Sequence, residues 1–152
     1  MSFENGILDY FHLVYNAHMA TLFTRIIQGE IPSYKVYEDD LIYAFLSIEP
    51  FHLGHTLVVP KAEIGDILDM PPDLYTHLMN VSRSVIAPAI KMATVATRIG
   101  FMVEGFGITD HAHLHLIPLF ESGDMNPSKA HKETDEDMAM IAGKIQSAFI
   151  KQ

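Results

Sequence analysis

Residues 111–118 read HAHLHLIP, with a histidine at every second position of the first five. Successive side chains of a β-strand point to opposite faces, so His111, His113 and His115 share one face and the apolar residues between them share the other. The spacing predicts a strand over residues 111–119 whose apolar face lies against a core and whose exposed face carries three imidazoles.

Three imidazoles in this arrangement leave three interpretations open. They can hold a zinc ion with an open fourth position, as in catalytic sites with three histidine ligands. They can face solvent by chance, or one of them can act as an acid, a base or a nucleophile. The spacing alone does not choose among these uses.

The composition excludes several classes of protein. Nineteen acidic against ten basic residues give a net charge of −9, which argues against a nucleic-acid partner or an anionic membrane surface. The chain has no cysteine, so disulfides, thiolate catalysis and cysteine-based zinc sites are excluded. No apolar run approaches the ~20 residues of a membrane span, and we expect a cytoplasmic location.

Four further segments carry strand patterns, and turn residues separate them. Together with the histidine strand they are residues 34–38, 41–48, 56–59, 99–103 and 111–119. The last two are joined by the glycine-rich EGFGITD, which predicts a tight hairpin.

Apolar residues at helical spacing predict three helices. A short helix covers residues 20–28, a long one begins at Pro71 and Pro72, and a C-terminal one covers residues 135–150. Pro88 is expected to kink or divide the long helix, because proline lacks the N–H of the helical ladder. About five mainly antiparallel strands with helices on one face define an α+β fold.

The length of 152 residues fits one domain. A second methionine, Met19, opens the ordered pattern. Residues 1–18 are therefore expected to form an N-terminal extension that is disordered or partly helical. A helix packed on the domain or on a partner is the alternative. Residues 19–152 are expected to form the domain.

Four blocks of the chain resemble the histidine triad (HIT) family. Residues 111–117 resemble its signature, His-φ-His-φ-His-φ-φ, in which φ is hydrophobic. TLFTRIIQGEIP at residues 21–32, YEDD at 37–40 and GHTLVVPK at 54–61 resemble its N-terminal blocks in order and spacing. The resemblance implies a HIT-like fold with two main helices plus a short N-terminal helix, and it implies a homodimer.

The resemblance also implies nucleotidyl chemistry. His113 stands at the position of the nucleophile, which attacks the α-phosphorus to give a covalent nucleotidyl-histidine that water then hydrolyses. His111, His115 and His55 would orient it, bind phosphate oxygens and protonate the leaving group. Imidazole suits the role, because its ordinary pKa of about 6.5 leaves a neutral, nucleophilic fraction at physiological pH. The implied substrate is a purine nucleotide or a nucleoside phosphoramidate, and no cofactor is implied.

Other positions are candidate contacts to the substrate. Those for the base and the ribose correspond to family positions, whereas those for the phosphate lie in the loop before residue 111, which is shorter than the family's and departs from its pattern. The implied base contacts are apolar, and the ribose and phosphate contacts are polar or glycine. These residues are Phe23, Ile26, Phe45 and Ile48 for the base, Ser47 for the ribose, and Gly107 and Thr109 for the phosphate. Core packing is the alternative for each apolar residue.

Two further departures from the family pattern change the expectations. Thr21 and Thr24 stand where many members have a Cys-x-x-Cys zinc half-site, and Glu63 stands where a further zinc histidine is usual, so no structural metal is expected. Ser47 stands where an aspartate usually accepts both ribose hydroxyls. A charge-assisted hydrogen bond of about 1.5–3 kcal/mol is thereby exchanged for one of about 0.5–1.5 kcal/mol.

We therefore predict a nucleotide hydrolase or transferase that resembles the nucleoside phosphoramidase branch. A dinucleoside polyphosphate hydrolase is the main alternative among enzymes. A nucleotide-binding regulatory protein of low activity and a metal-dependent hydrolase are the others.

Overall fold

The computed structural model describes residues 19–149, so the predicted N-terminal extension lies outside the described residues. Five strands form one sheet. They are β1 (Lys35–Glu38), β2 (Ile42–Leu46), β3 (Thr56–Pro60), β4 (Arg98–Met102) and β5 (Leu114–Leu119). Their order across the sheet is β1-β2-β3-β5-β4, and each neighbouring pair is antiparallel. The predicted α+β fold with five antiparallel strands is confirmed.

Four α-helices within residues 19–149 pack around this sheet. They are α1 (Leu22–Ile27), α2 (Pro72–Val81), α3 (Ala87–Thr94) and α4 (Asp135–Phe149). Short 3₁₀ turns cover Ile67–Asp69 and Pro127–Lys129.

Pro88 divides the long helix as predicted. A π-helical turn, Ser82–Ile86, separates α2 from α3, and Pro88 lies in the first turn of α3. Proline has no N–H to donate to the preceding turn, so the hydrogen-bond pattern changes there.

The two faces of the sheet bury different clusters. One face packs against α2, α3 and α4, and its buried strand residues are Val36, Ile42, Ala44, Leu46, Val58, Leu114 and Leu116. The other face packs against α1, with a buried cluster of Phe23, Ile26, Tyr43, Phe45, Leu57 and Val59. The predicted alternation along the histidine strand is confirmed, because Ala112 also belongs to the first cluster.

Two details of the histidine strand were predicted wrongly. Strand β5 begins at Leu114 rather than at residue 111, so the connection from β4 is longer than a tight turn. The histidine face is also not exposed: His111 is 0% and His113 is 6% exposed. The cause is α1, whose Phe23 ring lies edge-on against both imidazoles.

No helix within residues 19–149 combines the length and the apolar character needed to cross a membrane.

Candidate active site

His113 is held by the main chain that precedes it. Its Nδ1 lies 2.9 Å from the carbonyl oxygen of His111. A carbonyl only accepts hydrogen bonds, so Nδ1 carries the ring proton and Nε2 keeps a free lone pair. Phe23 packs edge-on against the ring, with centroids 5.3 Å apart. The imidazole is thus fixed in the tautomer that a nucleophile at Nε2 requires.

A second chain of hydrogen bonds, the histidine relay, joins Phe51, His55 and His115. The backbone N–H of Phe51 donates to Nδ1 of His55 at 3.1 Å, so the proton of a neutral His55 ring is on Nε2. Nε2 then donates to Nδ1 of His115 at 2.9 Å. The proton of His115 is therefore on its Nε2. Within residues 19–149 this buried nitrogen has no hydrogen-bond partner.

Both relay histidines are neutral at physiological pH. Burial, followed by the neighbouring His115 and His52, lowers the pKa of His55 to about 3. Burial, followed by the neighbouring His113, lowers the pKa of His115 to about 4. Neutral rings agree with the relay, because a nitrogen–nitrogen hydrogen bond needs one unprotonated nitrogen.

His111 lies beneath the site and has both nitrogens engaged. Nε2 donates to the carbonyl of Pro60 at 2.7 Å, and Nδ1 accepts from the hydroxyl of Thr21 at 2.6 Å. The backbone carbonyl of His111 in turn orients His113. Of the companion roles predicted for His111, the geometry therefore leaves orientation rather than contact with phosphate.

The residues at the family's zinc positions bond to one another. Oε1 of Glu63 accepts the backbone N–H of Thr21 at 2.9 Å and the hydroxyl of Thr24 at 2.6 Å. Neutral hydroxyls are poor substitutes for thiolates, so this set with His111 does not fit a structural zinc. Within residues 19–149 no group of three or more His, Cys, Asp or Glu side chains is placed to hold a metal ion.

Three of the four predicted base contacts lie together beside the histidines. Phe23, Ile26 and Phe45 belong to the cluster under α1, and the two phenylalanine rings meet edge-on at 5.4 Å. The register puts Phe45 opposite Leu57, and Leu57 opposite His115, so this cluster borders the relay. Ile48 is separate from it and 75% exposed.

The predicted ribose and phosphate contacts lie on loops at the rim. Ser47 donates its backbone N–H to the carbonyl of His55, and its hydroxyl oxygen accepts the N–H of Glu49 at 3.3 Å. Gly107 and Thr109 are exposed in the connection between β4 and β5. Ile108 between them packs on the cluster under α1, which keeps this loop beside the site.

Sequence reasoning missed the groups that orient the histidines. Thr21 and Glu63 were noted only as replacements for zinc ligands, although their residue types already suit hydrogen bonding. The backbone N–H of Phe51 carries no signal in the sequence. Its role depends on the turn that brings it to His55, four residues later.

The class of protein is defined by a five-stranded antiparallel sheet and by histidines at every second position from residue 111 to residue 115, where β5 begins. A family model described as the HIT domain matches residues 28–122. The chain therefore belongs to the HIT family.

Relatives and solved structures agree with this assignment. An uncharacterized HIT-like protein of Borreliella burgdorferi is 36% identical over 117 residues, which cover 73% of this chain and 84% of that protein. The adenosine 5′-monophosphoramidase HNT1 of Saccharomyces cerevisiae is 36% identical over 99 residues, covering 65% of this chain and 62% of that enzyme. A hypothetical histidine triad nucleotide-binding protein from Sulfolobus tokodaii superposes with a TM-score of 0.75 and 28% identity, covering 85% of this chain and 91% of that one. The predicted HIT-like fold is confirmed.

Proposed function

We propose that this protein hydrolyses or transfers nucleoside monophosphate derivatives, phosphoramidates in particular, through a covalent nucleotidyl intermediate on His113. The observation that carries the proposal is the pairing of an unprotonated Nε2 on His113 with an N–H on His115 that has no partner within residues 19–149. The first group supplies a nucleophile and the second supplies a donor for the reacting phosphate.

In the first step Nε2 of His113 attacks the phosphorus. The N–P bond forms as the bond from phosphorus to the leaving nitrogen breaks, and that nitrogen takes the Nε2 proton of His115. A neutral imidazole can act as such a donor. His113 gains a positive charge on nucleotidylation, and the relay is left with a negative charge. The first stabilises the second, because the rings of His113 and His115 lie 5.0 Å apart.

In the second step water attacks the same phosphorus. The new O–P bond forms as the bond to His113 breaks, and one water proton returns to Nε2 of His115. The products are the free amine and a nucleoside monophosphate, and the enzyme regains its starting tautomers. Two displacements replace one difficult hydrolysis, which is the advantage of covalent catalysis.

The apolar cluster under α1 and the relative HNT1 support a nucleotide as substrate. Phe23 and Phe45 offer aromatic edges beside the histidines, which suit a flat base. HNT1 is an adenosine 5′-monophosphoramidase by name. We therefore expect an adenosine phosphoramidate to be turned over.

Mass spectrometry after a short reaction with adenosine 5′-phosphoramidate tests the proposal. We expect a nucleotidyl adduct on the native protein and none on His113→Ala. His131→Ala is the matched control, because His131 is an exposed histidine on another segment, and it should keep the adduct. Turnover without an adduct under quenched conditions would contradict the mechanism.

Three further measurements separate the alternatives. A larger kcat/KM for a dinucleoside polyphosphate, compared side by side, would favour the rival enzyme. Binding of AMP without turnover of either substrate would favour a regulatory protein, for which the loss of a carboxylate at Ser47 is the supporting observation. Activity that a chelator removes and zinc restores would favour the metal-dependent hydrolase.

The homodimer and the cytoplasmic location stay predictions. The edge strand β4 supports the dimer, because Phe101 in this strand and Val103 directly after it are exposed and border an apolar groove of ≈ 580 Å³ that also contains Tyr75 and Met79. A second copy would cover such a surface.

A further inference from the structure

A buried aspartate, Asp124, lies behind the histidine relay and outside the site described above. Its Oδ1 is 3.0 Å from Nε2 of His52, which is an ion-pair distance without hydrogen-bond geometry, since within residues 19–149 this nitrogen has no hydrogen-bond partner. His52 is adjacent in sequence to Phe51, whose N–H begins the relay. The inference drawn from this contact rests on the proposed function for its kinetic consequence, but its structural consequence can be measured separately.

Asp124 is a permanent anion. Its side chain is fully buried. Oδ1 accepts from Nζ of Lys129 at 2.6 Å, and Oδ2 accepts the backbone N–H groups of Phe120 at 2.6 Å and Glu121 at 2.9 Å. These hydrogen bonds, that of Lys129 first, hold the pKa of Asp124 well below its ordinary value. The carboxylate is therefore charged and immobile throughout the physiological range.

The turn that carries His52 also carries the relay. The backbone N–H of His55 donates to the carbonyl of His52 at 3.0 Å, which closes the turn. The ring of Phe51 lies edge-on against the ring of His55, with centroids 4.8 Å apart. A shift of this turn would move the N–H of Phe51 away from Nδ1 of His55.

The loop after β5 holds this turn through the side chain of His52. Besides the contact with Asp124, the His52 ring packs edge-on against Phe120 at 5.3 Å. The backbone N–H of His131 also donates to the carbonyl of Pro50 at 3.2 Å. The loop after β5 and the turn before β3 are thus fastened to each other directly behind the relay.

We propose that Asp124 and His52 are positioning residues for the proposed reaction, which hold the turn at residues 51–55 so that the N–H of Phe51 sets the tautomer of His55. With this N–H in place, His55 keeps its proton on Nε2 and donates to His115. Without it, Nδ1 of His55 can carry the proton, and the relay no longer holds a proton on Nε2 of His115.

The variant Asp124→Asn tests the proposal by two measurements at pH 7.5. Steady-state kinetics with adenosine 5′-phosphoramidate should show a kcat lower by roughly 10-fold or more, with KM changed less than about twofold, since only the proton donor is disturbed. The ¹⁵N NMR signals of the imidazoles should show that His55 loses its single Nε2–H tautomer.

Asp39→Asn is the matched control. Asp39 also accepts two backbone N–H groups, those of Leu41 and Ile42, and pairs with His77 at 2.8 Å, but it lies at the β1–β2 turn. This variant should leave kcat and the His55 signals unchanged.

A second variant covers the case in which Asp124→Asn does not fold. His52→Phe keeps a ring against Phe120 and removes the nitrogen beside Asp124, and it should change kcat and the tautomer in the same direction. The inference would be overturned if every folded variant of Asp124→Asn and His52→Phe kept the native His55 tautomer and had the same kcat as Asp39→Asn. If the native protein turns over no phosphoramidate, the proposed function fails, and the NMR comparison still decides the positioning role.

Discussion

Nε2 of His55 lies 2.9 Å from Nδ1 of His115, so two histidines 60 residues apart in the sequence share one proton position. The backbone N–H of Phe51 fixes the direction of this hydrogen bond from the other side of His55. The tautomer of His115 is therefore set by the N–H of Phe51, a main-chain group that acts on the His115 ring through His55.

The His55–His115 contact predicts a difference between two substitutions. His55→Leu leaves Nδ1 of His115 without a donor, and we expect kcat to fall about 10- to 100-fold, equivalent to the about 1–3 kcal/mol of an unsatisfied buried group. His55→Asn offers an amide that can both accept and donate, so it should retain more activity than His55→Leu. Equal kcat values in steady-state assays of the two variants would contradict the relay.

The lowered pKa values of His55 and His115 predict a loss of stability in mild acid. Their folded-state values, about 3 and about 4, lie below that of an exposed imidazole, so the unfolded chain binds more protons below about pH 6.5. The free energy of unfolding should fall between about pH 6.5 and pH 4, by about 1 kcal/mol per pH unit for each ring.

Urea denaturation at pH 7, 6 and 5 checks this dependence. His55→Asn should reduce the slope of stability against pH, because one of the two titrating rings is gone. His131→Gln should not reduce it, since a hydrogen bond to Lys129 and one to Glu133 raise the pKa of His131. Identical slopes for the native protein and His55→Asn would show that the buried rings do not titrate in this range.

Ser47 predicts weak discrimination between ribose and 2′-deoxyribose. Its single hydroxyl oxygen already accepts the N–H of Glu49, whereas a carboxylate could accept both hydroxyls of a ribose. Ser47→Asp should raise the preference for the ribonucleotide by about 10-fold, which corresponds to the gain from a charge-assisted hydrogen bond. The measurement is kcat/KM for adenosine and 2′-deoxyadenosine 5′-phosphoramidates.

Glu49→Gln is the companion variant for this measurement. If the native protein already prefers ribose strongly and Glu49→Gln removes that preference, Glu49 rather than Ser47 holds the sugar, and the prediction for Ser47 is wrong.

The exposed edge of β4 predicts that one added charge prevents the proposed dimer. Phe101→Glu places a carboxylate on the apolar groove, and a buried unpaired charge is costly. Sedimentation velocity should show a dimer for the native protein and a monomer for this variant. Leu41→Glu, at an exposed apolar position in the β1–β2 turn, should sediment as the native protein does. A native monomer at micromolar concentration would contradict the dimer.

Local sequence patterns predict the strands and helices of the fold, but they do not predict that the histidines are buried beneath α1. The alternation at residues 111–116 and the division of the long helix at Pro88 depend on neighbours a few residues apart, so the sequence predicts both. The burial of His111 depends on Thr21, 90 residues earlier, and on Phe23 in the helix that Thr21 caps. No periodicity in the sequence indicates where that helix lies on the sheet.

The loops show the same division between local and distant causes. The glycine-rich connection before β5 was recognised, but its length was not, because pairing of β5 begins only where β3 and β4 meet Leu114 and His115. Ile48 continues an apolar run of the sequence, yet it lies past the last ladder pair of β2 at Leu46 and turns outward.

The hydroxyl and carboxylate groups of Thr21, Thr24 and Glu63 fasten α1 to His111, where thiolates and zinc would serve in a protein with the cysteine motif. None of these groups can be oxidised to a disulfide, and none depends on a bound zinc ion that is lost when zinc is scarce. Helix α1 should thus keep its place against His111 under peroxide stress and metal starvation, conditions that would loosen a thiolate-bound equivalent.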